Sequence, residues 1–169
     1  MPEQQLPPID YEYDEFDCET LEDEVRVDGL CRQLLQQFYD YLLNSGLTDQ
    51  RASELAYAMD YYVRDYQVDF LQQNILRPQQ EQIRYFAGNW YITHSLEPTL
   101  EVLDCHLEGL RAWYTFLHTR HLIAADELAE LLQETTQRVF YRDRIERFLA
   151  LAGDGYEAWD RACQREETV

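Results

Sequence analysis

Apolar residues recur at intervals of three and four along most of the chain, the pattern of amphipathic helices. Thr20 followed by Asp23 resembles a capping box, with Asp a weaker partner than Glu or Gln. Behind it Val27, Leu30, Cys31, Leu34, Phe38, Tyr41 and Leu42 form one stripe. Asn44-Ser45-Gly46 stops that helix, and Gly46 suits a left-handed C-terminal position. Thr48 caps a second helix with a stripe of Ala52, Leu55, Ala56, Met59, Val63, Tyr66 and Phe70. Pro78 suits the first position of a third helix, which buries Ile83, Phe86, Ala87 and Trp90. After a turn near Thr93 to Pro98, a fourth helix carries Leu100, Leu103, Leu107, Leu110, Tyr114 and Leu117. A fifth starts near Ala125 with Leu128, Leu131, Leu132, Thr135 and Val139, and its period continues through Ile145, Phe148 and Leu149. Gly153-Asp154-Gly155 is a turn, and Tyr156 to Arg165 forms a last short helix.

No stretch alternates strictly between apolar and polar residues, so the predicted fold class is all-α, a bundle of five to six helices. The spacing predicts a core of Leu34, Phe38, Leu55, Met59, Phe86 and Trp90, joined by Leu103, Leu107, Leu110, Tyr114 and Leu117. Residues 20–169 are read as a single helical domain, a normal size for a chain of 169 residues.

The first 19 residues break the pattern. They have no helical period and hold three of the five prolines. Residues 1–24 hold ten of the 33 acids and none of the 14 bases, leaving a charge of −9 for the rest out of −19 overall. Residues 1–19 are therefore expected to be a disordered acidic tail, with Ile9, Tyr11, Tyr13 and Phe16 as its apolar punctuation. Their removal is expected to leave the domain's stability unchanged. The beginning of the chain lacks the basic and apolar regions of a signal peptide, and no run of apolar residues is long enough for a membrane span. No pair of the four cysteines is closely spaced, so reduced thiols and a cytoplasmic location are expected.

Residues 34–66 and 107–123 resemble the N-terminal core-binding domain of tyrosine recombinases and phage integrases. The resemblance rests on an aromatic-ended helix followed by Gly46, Leu47 and Thr48. It rests also on a helix with Leu110, Arg111, Trp113, Tyr114, Phe116 and Leu117, then a turn and the pair Leu122-Ile123. It implies a SAM-like four-helix core with additional C-terminal helices. It also implies DNA binding, with Arg51, Arg64, Arg111 and Arg120 as the candidate nucleic-acid contacts. The family's catalytic domain is not found in these 169 residues, so the resemblance transfers no catalytic residue.

All 14 basic residues are arginines. Without lysine, there is no Schiff-base lysine, P-loop lysine or lysine general base. No Glu stands three residues before a His, as the paired motif of di-iron bundles requires. His118 and His121 are one turn apart at a helix end and are read as a solvated turn. Cys105 and His106 are adjacent, hence about 100° apart around a helix. Cys105 is expected in the core and His106 on the surface. No catalytic residue, cofactor or metal site is predicted.

Arg51 has Asp49 and Glu54 nearby in sequence, Arg64 has Asp60 and Asp65, and Arg111 has Glu108. Intramolecular ion pairs are the favoured expectation for all three. In the run Tyr57, Tyr61, Tyr62, Tyr66, Phe70, the adjacent Tyr61 and Tyr62 are not expected both to face inward. They join Tyr11, Tyr13 and Phe16 as a candidate partner surface. The expected function is a non-enzymatic interaction module that binds a protein partner, favoured to be basic by the negative field. The alternative is a DNA-binding accessory protein of recombination without catalytic activity.

Overall fold

The computed structural model describes residues 11–164. Among them there is no strand, and the fold is an all-α bundle. A short 3-10 turn, Tyr13–Phe16, precedes α1 (Leu21–Asn44). α2 (Asp49–Asp60) runs without interruption into a π-helical stretch, Tyr61–Phe70. α3 is composite: an α-helical turn, Gln82–Tyr85, then a π-helical stretch, Phe86–Trp90, then a closing turn, Tyr91–Thr93. α4 (Leu100–Thr119), α5 (Ala125–Thr135), α6 (Arg138–Leu149) and α7 (Tyr156–Arg161) follow.

The caps form largely as the sequence predicts. Thr20 accepts a hydrogen bond from the Asp23 amide, and the Asp23 carboxylate accepts from the Thr20 and Glu19 amides. Those amide bonds hold the Asp23 carboxyl below its usual pKa. Thr48 accepts from the Arg51 amide, and Thr99, not singled out in the sequence, accepts from the Val102 amide. Gly46 takes φ 94° after α1, a conformation that costs glycine little.

All eleven predicted core residues are buried. α4 passes closely over α2 because position 109 is glycine. A Cβ there would lie 2.9 Å from Met59 Cε. Some polar groups inside the bundle are bonded to one another. The Tyr62 and Tyr114 hydroxyls share a hydrogen bond of 2.8 Å, and Gln82 Nε2 donates to Tyr62 at 2.6 Å.

Several boundaries differ from the sequence reading. α3 begins at Gln82, four residues after Pro78, since Glu81 takes φ 63° and ends the preceding turn. Its start is satisfied from a distance: the Glu134 carboxylate accepts from the amides of Glu81, Ile83 and Arg84. The helix expected to run from Ala125 through Leu149 is two helices. Thr135 and Thr136 turn their hydroxyls onto the carbonyls of Leu132 and Gln133, and the chain bends before Arg138. Val139 and Leu149, assigned to the stripe, are exposed as a result.

The acidic tail is a larger correction. Residues 1–10, with Ile9, lie outside the described residues, as does Arg165 at the end of the last predicted helix. Residues 11–19 are docked. Phe16 is fully buried, and Tyr11 meets it edge-on at 5.4 Å. Tyr11 donates to Gln33, Asn74 donates to the Tyr13 carbonyl and Asp17, and Arg26 donates to the Asp17 carbonyl. Asp14 and Asp17 face Arg77 at 2.9 and 3.8 Å. One aromatic anchor, with local cations opposite the acids, outweighs the like-charge repulsion that the composition suggested.

Candidate protein-interaction surface

The four arginines singled out in the sequence stand in different surroundings. Arg51 is bonded to Glu54 at 2.8 Å and to Glu108. Arg64 is held between Asp28 at 2.7 Å and Asp60 at 3.0 Å. These carboxylates raise the pKa of both guanidiniums. Arg111 is exposed on α4 and makes no ion pair among the described residues. It lines a groove of about 570 Å³ together with Asp104, Glu108 and Arg138, and Arg138 grips Asp104 through two bonds of 2.8 Å. Arg120 lies at the C-terminal cap of α4, where partial burial lowers its pKa. Arg26, Arg32, Arg77, Arg142 and Arg147 likewise face acids.

Arg144 is buried without a carboxylate partner in those pairs. It donates to the Gly88 carbonyl at 2.8 Å and to the Trp159 carbonyl, and it lies 3.8 Å over the Trp159 ring. Its cation is enclosed and offers nothing to an external anion.

The predicted aromatic surface is also divided. Phe16 and Tyr62 are fully buried, which removes both as partner contacts. Tyr11 is half-buried and Tyr13 exposed. Tyr61 is half-buried between Trp90, at 5.2 Å, and His106, at 5.6 Å. The π-helical turn is the physical reason that the adjacent tyrosines Tyr61 and Tyr62 both pack. Its i→i+5 bonding, seen where the Leu71 amide meets the Tyr66 carbonyl, closes each hydrogen-bonded loop over one more residue than an α-helix does and widens the inward face.

The pair Cys105-His106 is reversed from expectation. His106 is 7% exposed, and its ring packs on Tyr61, Phe86 and Tyr91. Burial pushes its pKa down to about 4, so the ring is neutral near pH 7. Cys105 is only half-buried, and desolvation raises its thiol pKa. An imidazole with so low a pKa is a weak base and a thiol with a raised pKa ionises poorly, so the two are a poor nucleophilic pair. The reversal was legible, since His106 is three residues from Leu103 and four from Leu110, on the same stripe. The His118 ring meets the Ile123 carbonyl at 3.1 Å, in the turn that ends α4. Among the described residues no group of three His, Cys, Asp or Glu side chains is placed to hold a metal ion.

Arg51 and Tyr61 do share one feature. A groove of about 570 Å³ runs between α2 and α4. Its floor is Ala58, Tyr61 and His106, with Tyr91 closing one end. The Tyr91 hydroxyl donates to the Thr99 carbonyl and accepts from the Thr99 amide, which ties α3 to the cap of α4. The lip carries Tyr57, 80% exposed, and Val102, 48% exposed. Arg51, Glu54 and Glu101 complete the rim. Arg51 is neutralised by its two carboxylates, and Glu101 makes no ion pair among the described residues. The rim is thus acidic and the floor apolar. Tyr57 and Val102 were not singled out as site residues. The available signal was a large apolar side chain off its helix's stripe, since Tyr57 is two residues from both Leu55 and Met59.

No protein-family model, curated protein or solved structure matches this chain. No described helix is long and apolar enough to cross a membrane.

Proposed function

We propose that the chain is a non-enzymatic helical interaction module, built like a recombinase core-binding domain, that binds a basic protein partner. The observation that carries this is how the arginines are engaged. Most face the protein's own carboxylates or are enclosed, so the surplus of acids is left to set the external field. Such a field attracts cationic partners and repels phosphate backbones. A DNA-binding accessory protein would need several unengaged arginines close together, whereas Arg51 and Arg64 are held by carboxylates and Arg138, which shares the groove of Arg111, is bonded to Asp104. The four free cysteines, three of them buried, support a reducing cytoplasmic setting.

The test is a salt titration of the full chain against duplex DNA and against an Arg/Lys-rich peptide, read by fluorescence anisotropy. The peptide should bind at moderate salt, and duplex binding should be no tighter than about 10⁻⁴ M. Micromolar duplex binding that weakens steeply with salt would replace this reading with the DNA-binding one.

A further inference from the structure

Resting on that reading, we infer that the groove between α2 and α4 is the docking site for an amphipathic helix of the basic partner. That helix would seat large apolar side chains on the Ala58–Tyr61 floor and place Lys or Arg against Glu101, the rim acid not bonded to Arg51. Two helices side by side, here brought close at Gly109 and Met59, leave a trough into which the ridge of a third can pack. Small residues, Ala58 and Cys105, line it and allow close approach. From Arg51 to Tyr61 the trough is roughly 15 Å long, about three helical turns. Exposed Tyr57 and Val102 are aromatic and aliphatic groups that a folded monomer gains nothing by presenting to water, and they sit together at the mouth. The described fold has no sheet edge that could take up an extended strand.

Charge selects the occupant. A second copy would bring its own −19 to an acidic rim, whereas a cationic helix meets complementary carboxylates. Glu101 is the rim acid that makes no ion pair among the described residues, and it stands one residue from Val102.

The probe is a synthetic 14-residue helix-forming peptide with leucines on one face and lysines on its flanks. Its controls are a scrambled peptide of the same composition and a version with Glu for Lys. Binding to the full chain is measured by anisotropy. The amphipathic peptide should bind at least tenfold more tightly than the scrambled one, and the Glu version should not bind. Val102→Arg, at an exposed position that leaves circular dichroism unchanged, should weaken binding about tenfold or more. Glu101→Arg should weaken binding and flatten its salt dependence. Equal binding of amphipathic and scrambled peptides, unaffected by Val102→Arg, would overturn the groove and leave the charge-driven module standing. Failure of every basic peptide would overturn both. A dimer in solution that Val102→Arg converts to monomer would assign the groove to a second copy and overturn the proposal.

Discussion

Replacing Phe16 with alanine should destabilise the protein substantially, although Phe16 lies in the segment whose composition reads as disordered. The ring is fully buried against the bundle and meets Tyr11 edge-on. Truncating a buried phenylalanine removes its transfer free energy and leaves a cavity, at a typical cost of about 3–5 kcal/mol. In a protein of this size each kcal/mol lowers the melting temperature by about 2–4 °C, so a fall of roughly 6–20 °C is expected. The ion pair of Asp14 with Arg77 is mostly solvated, and Asp14→Asn should change stability by less than about 1 kcal/mol. Urea unfolding of the wild type and both variants, followed by circular dichroism at 222 nm, gives the comparison through linear extrapolation. If Phe16→Ala costs less than about 1 kcal/mol, the segment is not anchored by its ring. If Asp14→Asn costs as much as Phe16→Ala, electrostatics holds the segment and the apolar argument is wrong.

Glu134→Ala should cost about 3 kcal/mol in the same urea assay, because it leaves three amides at the start of α3 without their charged acceptor. Trp90→Ala should cost about 3–5 kcal/mol, since the ring packs on Tyr61, Tyr66, Phe86 and His94. His106 adds a pH dependence. Its folded pKa of about 4 lies below the unfolded value of 6.5, so its contribution is intact above pH 6.5 and falls as the unfolded chain takes up a proton below it. By pH 4 the loss is about 3 kcal/mol, and the stability of His106→Leu relative to wild type should rise by that amount between pH 7 and pH 4.

The helical architecture was legible because each helix buries one face, and burial of one face writes a three-and-four period into the sequence. The caps at Thr20 and Thr48 were legible for the same local reason, since each needs only its own following amides, and Thr99 caps by the same rule without having been singled out. What was hidden is where a distant residue does the capping or breaks the period. Nothing near Pro78 in sequence announces that Glu134, some fifty residues away, will hold the first amides of α3. The π-helical stretches were hidden too. Tyr61, Tyr62, Tyr66 and Phe70 fit an α-helical stripe almost as well, and only the wider turn lets these rings pack together against Phe86 and Trp90. The acidic tail misled for a related reason. Composition averages over a segment, whereas docking needs one well-placed ring.

The proposed interaction surface was legible only in its electrostatics. The excess of acids and the sequence neighbours of Arg51 and Arg64 already implied that these cations would be neutralised, and the structure adds Glu108 and Asp28 from other helices to the same two arginines. Aromatic content misled in position, because a tyrosine's exposure depends on the helix opposite. Phe16 and Tyr62 each meet a packed neighbour and are covered, whereas Tyr57, from the same run as Tyr62, meets none and remains at the mouth of the groove. The apolar stripe of each helix separates these cases. A histidine on the stripe, His106, belongs to the core whatever its polarity. A large apolar residue off the stripe, such as Tyr57 or Val102, has no interior to enter and stays at the surface, where the proposed partner helix would cover it.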